Sequence, residues 1–156
     1  MTERIASANH DEKEVARMEK ELRYVAAIIK HNGRKILKNY TITPPQFVAL
    51  QWLFEHGDMT IGDLSNKMFL AFSTTTDLVD RMENNHLVKR VRDNKDRRVV
   101  RIQLLAEGER VIEEVIDKRR HYLNSVLSDF DEAEVQQLSQ LLSKLHQEMK
   151  KDWKED

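Results

Sequence analysis

Apolar residues in this chain recur every three or four positions almost throughout, and the period shortens to two in one place, residues 88–104. No other feature constrains the fold as much. A 3.6-residue period commits a segment to one face of a helix, and a period of two commits it to one face of a strand. The chain is therefore expected to be helical on both sides of one short β hairpin. Four Gly and two Pro in 156 residues leave few places to turn, which fits long helices, and that length makes one domain the default.

From about 11 to 38, Val15, Met18, Leu22, Val25 and Ile29 alternate spacings of three and four, with Glu and Lys between them. This is an a/d seam. A helix of about 28 residues is long for so small a domain, so the seam is expected to face another subunit. A second seam, Val135, Leu138, Leu142, Leu145 and Met149, closes the chain. Its helix starts from a cap at Asp131 with Glu134 three residues on, and Phe130 is placed to staple onto Val135. Before it, a helix over about 106–127 carries Val111, Ile112, Val115, Ile116, Leu123 and Val126.

The middle of the chain opens with a strong start signal. Thr43 caps a helix, Pro44 takes the first helical position, Gln46 completes a capping box, and Ile42 can staple onto Phe47. Phe47, Leu50 and Phe54 mark its buried face, and Gly57 ends it. Thr60 caps the next, short helix, with Asp63 in its third position and Ile61, Leu64 and Met68 as its stripe. After a brief break at FLAF, STTTDLVDRMENN reads as a further helix. Thr75, Leu78, Val79 and Met82 share its inner face, while Ser73, Asp77, Asp80 and Asn84 share the outer one, flanked by Thr76 and Arg81. Asn84 or Asn85 is expected to take the left-handed conformation that stops it. VKRVR and VVRIQL then read as strands, with Val100, Ile102 and Leu104 on one face. The turn between them, DNKDRR, lacks the Asn-Gly or Asp-Gly of a tight hairpin and predicts a longer, mobile loop.

Charge singles out this hairpin. Residues 88–104 hold seven Lys or Arg against two Asp, a net +5 in a chain whose formal charge is −1, so the remainder stands at −6. Two short helices followed by a basic hairpin form the pattern of a winged helix-turn-helix. Lys89, Arg90, Arg92, Lys95, Arg97, Arg98 and Arg101 would gain affinity for DNA by releasing counterions from its phosphates. A narrow loop tip suits a minor groove. The helix over 73–84 would enter the major groove, its first residues nearest the base edges, where hydroxyls donate and accept and Thr methyls touch thymine methyls. A basic hairpin alone is as consistent with a solvated surface, and Ser or Thr at a helix start with capping. The order of the parts decides for DNA. Asp77 and Asp80 make the helix poorly basic, so the wing is expected to supply much of the affinity and the helix mostly discrimination.

The run TIGDLSNKMFLAFSTTTDLVDRMENNHLVKRVRDNKDRRVVRIQLLAEG resembles the core of the MarR family of bacterial regulators. TPPQFVALQWL is similar to the family helix before it, and LVDRMENNHLV and Asp96-Arg97-Arg98 to its most characteristic words. The resemblance spans nearly the whole chain. It implies a mainly α fold with a small β-wing: a winged helix-turn-helix lobe over about 43–105 and dimerisation helices over about 11–38 and 106–154, in a single domain of residues 1–156. It implies a sequence-specific, double-stranded DNA-binding transcriptional regulator, a homodimeric repressor of a pseudo-palindromic operator, released by a small-molecule effector. Carried over residue by residue, Ser73, Thr74, Thr76 and Asp77 fall on the recognition helix, Arg81 on its Arg, and Lys95, Arg97 and Arg98 on the wing tip. Asp96 falls on a salt-bridge partner inside the wing. There are departures. Phe69 and His86 stand where many members have Gly, so both turns are expected to need another conformation; Leu105 replaces a capping Thr, and Asp77 a residue that is often basic.

Other classes are disfavoured. Apolar runs such as YVAAII at 24–29 are too short for a bilayer, and MTERIASANH lacks the apolar centre of a secretory signal and reads as a frayed tail. No membrane partner and a cytoplasmic location are expected. The lack of Cys excludes disulfides, thiolate metal sites and the family's oxidant-sensing branch. The six His form no H-x₃-H pair, so no metal and no cofactor are expected. Tyr24, Trp52 and Phe72 are available to an effector pocket, with core packing their expected role. Phosphate-binding Gly loop, nucleophile elbow and clustered carboxylate pair are all missing, so the chain is not read as an enzyme. The residues leave one alternative open, a winged-helix dimer that binds another protein without specific DNA binding.

Overall fold

The computed structural model describes residues 10–152, so the expected tail lies, except for His10, outside the described residues. The elements in order are α1 (Glu12–Leu37), α2 (Pro44–His56), β1 (Met59–Thr60), α3 (Ile61–Met68), α4 (Phe72–Asn84), β2 (Val88–Arg92), β3 (Val100–Leu104), α5 (Ala106–Val126), a 3-10 turn (Leu127–Asp129) and α6 (Glu132–Lys150). This is the mainly α fold with a small β-wing. Strand β1 was not foreseen. It adds to the hairpin in the antiparallel order β1-β3-β2, with Met59 opposite Ile102 and Thr60 opposite Arg101. Two residues are too few to show a period. No described helix is long and apolar enough to cross a membrane.

Residues group into two compact units, Asn32–Arg120 and the pair of segments Met1–His31 with His121–Asp156. The first unit has a closed core in which Leu50, Leu64, Val79, Met82, Val88, Ile102 and Ile112 are fully buried. Helix α2 runs through it, and here the expected face needs correcting. Phe47 and Leu50 are buried, but Leu53 takes the inward place and Phe54 is 38% exposed. PPQFVALQWLFEH is apolar on nearly every side, so its spacing does not choose between neighbours.

Helix starts follow the sequence. Gln46 N donates to Thr43 Oγ1 (3.3 Å) and Thr43 N to Gln46 Oε1 (3.1 Å), closing the capping box, and Asp63 N donates to Thr60 Oγ1 (3.0 Å). Helix ends follow it less well. The left-handed residue after α4 is His86 (φ 61°), while Asn85 stays at φ −88°. Phe69 is also left-handed (φ 54°), so both departures from Gly keep the glycine conformation instead of avoiding it. That conformation costs a residue with a Cβ roughly 1–2 kcal/mol. The compensation is the same at both turns. Leu70 N donates to Ser65 O and Leu87 N to Met82 O (both 3.0 Å), with Phe69 N to Asn66 O and His86 N to Glu83 O beside them. This is the Schellman arrangement, completed at each turn by an apolar residue that the core holds: Leu87 is part of the buried core, and Leu70 packs against that core.

Helix α5 starts without a side-chain cap at Leu105; instead Leu105 N donates to Leu87 O (2.9 Å), and Glu107 and Glu109 complement the helix dipole. Its first turn lies so close to Leu87 that a Cβ on Gly108 would sit 2.3 Å from the Leu87 carbonyl oxygen. The expected strand VVRIQL begins one residue later, at Val100, because Val99 closes the turn.

In the other unit, α6 begins at a capping box in which Glu134 N donates to Asp131 Oδ1 (2.8 Å) and Asp131 N to Glu134 Oε1 (3.1 Å). None of its residues is buried. Val15, Met18, Leu22, Val25 and Ile29 of α1, and Leu138, Leu142, Leu145 and Met149 of α6, are each between 37% and 56% exposed.

Candidate nucleic-acid interface

Helix α4 is held by its inner face. Thr75, Leu78, Val79 and Met82 are buried, as their spacing predicts, and α4 packs on α3 and β2. Its outer residues Ser73, Thr74, Asp77 and Arg81 are exposed, and Thr76 is half-buried at the flank. The helix begins one residue earlier than expected, at Phe72, with Ala71 in the cap position making no side-chain bond. Ser73 and Thr74 therefore do not cap it. Thr75 Oγ1 donates to Ala71 O and Thr76 Oγ1 to Phe72 O (both 3.0 Å). With its donor used inside the helix, Thr76 offers a partner a methyl group and oxygen lone pairs.

The loop between β2 and β3 has the expected length but is tied down. Asp93 Oδ1 accepts from Lys95 N (2.8 Å), Asp96 Oδ1 accepts from Arg98 N (3.1 Å), and Asp93 N donates to Val99 O (2.9 Å). These are two successive Asx turns, the local device by which Asp shapes a loop. Asp96 is the internal ion-pair partner expected of it, and its cation is Arg98, whose Nε and Nη2 each lie 3.1 Å from a carboxylate oxygen. The Arg98 side chain is nonetheless 90% exposed, so this contact orients the guanidinium more than it neutralises it. The Arg98 guanidinium, then its backbone N–H, hold the Asp96 carboxyl below its ordinary range. The Lys95 backbone N–H and then Arg101 do the same for Asp93.

Three of the seven hairpin cations, Arg90, Arg92 and Arg101, make internal contacts that the sequence does not announce. Arg90 Nη2 lies 2.6 Å from Asp80 Oδ1 and Nη1 2.8 Å from Glu83 Oε1, while Arg90 N donates to Glu83 Oε2 (2.9 Å). Burial opposes its charge, but the hydrogen bonds to Asp80 and Glu83 outweigh it and push the guanidinium above its usual range. Arg90 thus fastens α4 to β2 and is not available to phosphate. Arg101 is held 3.3 Å from Asp93 Oδ2. Arg92 Nη1 donates to Arg97 O (2.8 Å), bracing the tip without losing its charge. Lys95, Arg97 and Arg98 are exposed at the tip, where the sequence placed them.

All eight expected DNA-contacting residues therefore lie on the surface of one compact unit, five on α4 and three on the wing. Sequence reasoning missed the role of Arg90. The available signal was Asp80 and Glu83 one turn apart beside a basic strand. It also misjudged the aromatics: Phe72 is 61% exposed, Tyr24 is exposed, and only Trp52 packs against the core. Trp52 stacks on His56 at 5.2 Å between centroids, with the Lys67 ammonium 5.6 Å from its ring. An open hollow of about 440 Å³ lies elsewhere, lined by Phe54, Glu113, Glu114, Ile116, Asp117 and Arg120.

Comparison with known proteins agrees with the winged-helix fold. The profile of the MarR family matches residues 42–100. The chain is 61% identical to YsmB, an HTH-type transcriptional regulator of Bacillus subtilis (strain 168), over 88% of this chain and 94% of that one. It is 32% identical to the HTH-type transcriptional repressor MdtR of the same organism, over 74% of each. Among solved structures, a MarR family protein from Bacillus stearothermophilus superposes with a TM-score of 0.87 at 61% identity, covering 91% of this chain and 99% of that one.

Proposed function

This chain belongs to the MarR family of DNA-binding transcriptional regulators, and from that premise we propose that it is a cytoplasmic homodimeric repressor of a pseudo-palindromic operator. The observation that carries the reading is the placement of two different surfaces on one unit: a hydroxyl-rich outer face on α4 and a cationic tip at Lys95, Arg97 and Arg98. Phosphates attract the tip without regard to sequence, whereas base edges discriminate through Ser73, Thr74, Thr76 and Asp77. Arg81, one turn beyond Asp77 on α4, adds a phosphate contact at the groove edge.

Homodimerisation is supported by the open seams of α1 and α6, which have the heptad spacing of helices that pack on one another. In this reading residues 1–156 work as a single domain, with about 11–38 and 106–154 as its dimerisation helices. Two lobes related by two-fold symmetry would meet half-sites about one helical turn apart, roughly 10 base pairs. The hollow beside Phe54 and Ile116, rimmed by Glu113, Glu114 and Asp117, is a place for the small molecule that releases the operator.

Selection of bound fragments from the host genome tests the proposal. A symmetric motif with that spacing is the expected result, and recovery of fragments without symmetry or shared sequence would overturn it. On the recovered site, Thr76→Ala and Asp77→Ala should change base preference more than nonspecific affinity.

A further inference from the structure

Phe72 occupies an unusual place for an aromatic residue. It is the first residue of α4 and is 61% exposed, and with Phe69 and Ala71, both exposed, it makes the corner of the helix-turn-helix apolar. Leaving a Phe ring in water forgoes the stabilisation that burial would give it. The inner face of α4 is complete without it, since Thr75, Leu78, Val79 and Met82 close that side. At 100° per residue Phe72 and Thr76 lie 40° apart, one turn from each other on the same flank. Thr76 directs its hydroxyl proton to Phe72 O, so the pair presents an aromatic ring next to a methyl group and no side-chain donor.

Of the groups exposed in a major groove, one suits such a surface: the 5-methyl of thymine, which side chains recognise by apolar contact. We propose that Phe72, supported by Thr76, is a specificity-determining residue that reads a thymine methyl group in each half-site. This rests on α4 being the helix that enters the major groove. The wing cations carry no such preference, so the apolar corner adds discrimination where the helix has little positive charge.

The test uses the full-length protein and a duplex carrying its selected site, with each thymine of a half-site replaced in turn by deoxyuridine, which lacks only the methyl. At one position wild-type protein should lose about fourfold in affinity, the worth of one buried methyl-sized group. Phe72→Ala should lose a similar factor on the thymine duplex and then be indifferent to deoxyuridine at that position. Its salt dependence and melting temperature should match wild type, because the ring contributes neither charge nor core. Phe72→Leu should restore part of the methyl dependence. If wild type binds the site selectively but no deoxyuridine position is coupled to residue 72, the inference falls and DNA recognition by α4 stands. If wild type prefers no duplex, both fall.

Discussion

In the unit Asn32–Arg120, apolar residues from α2, α3, α4, the sheet and α5 converge until Leu50, Leu64, Met82, Ile102 and Ile112 expose no surface. In the other unit, Val15, Met18, Leu22, Val25 and Ile29 of α1 and Leu138, Leu142, Leu145 and Met149 of α6 recur at equally regular spacing, yet each leaves a third or more of its surface exposed. The difference teaches that helical periodicity states a demand for a partner surface without saying where the partner comes from. The central unit meets the demand with its own elements, joined by short turns that bring different directions together. The terminal unit leaves its heptad-spaced stripes open, and under the proposed homodimer a second copy of the same helices would cover them.

The severest way to break this contrast is Leu142→Asp. A charge in the α6 seam should dissociate the proposed dimer and, by removing the second half-site contact, cost on the order of 10³-fold in operator affinity. A folded, fully active monomer in light scattering would show the seam to be ordinary surface. Leu50→Ala asks the matching question of the closed core. It should lower unfolding free energy by about 3–4 kcal/mol in urea titrations, and a loss below about 1 would mean the core repacks.

Gly108→Ala sharpens the contrast at one point, since its Cβ would fall 2.3 Å from a backbone oxygen. We expect a loss of about 2 kcal/mol by the same measurement, with the α5 start displaced. Arg97→Ala with Arg98→Ala leaves both packing systems alone. Melting should hardly change, DNA affinity should drop about tenfold or more, and the salt slope should fall by about 2. A large melting shift with unaltered affinity would make these arginines structural.

The smallest effect concerns pH. Asp93 and Asp96 titrate below their ordinary 3.8 in the folded chain, so their contribution is present above that value and lost as pH falls through the lower folded values. Wing order, followed by the amide signals of Lys95 and Arg98, should be constant between about pH 8 and pH 5 and fade below about pH 4. A midpoint above 4 would contradict the hydrogen bonds drawn for both carboxylates.

Much of the fold was legible in the residues because its signals are local. Thr43 with Gln46, Thr60 with Asp63 and Asp131 with Glu134 each start a helix through partners three residues away. The inner face of α4 and both hairpin strands follow from period alone. The misreadings occur where local pattern is silent: Phe54 against Leu53 in a helix apolar all round, His86 in place of Asn85, and a β1 of two residues. Of the candidate site, the exposure of Ser73, Thr74, Asp77, Arg81 and the wing-tip residues could be read in advance, with Thr76 half-buried at the flank. Which of the hairpin's cations are engaged within the lobe could not.

By itself, then, the sequence determined the helices, the hairpin, the α4 face and the concentration of positive charge on the wing, because each depends on residues within one or two turns. Only the tertiary structure decided that Arg90 joins α4 to β2, that Phe69 and His86 keep the left-handed conformation at their turns, and that Phe72 faces solvent. Those outcomes depend on which distant surfaces come into contact. A guanidinium or a ring has the same composition whether it meets a carboxylate, a core or water.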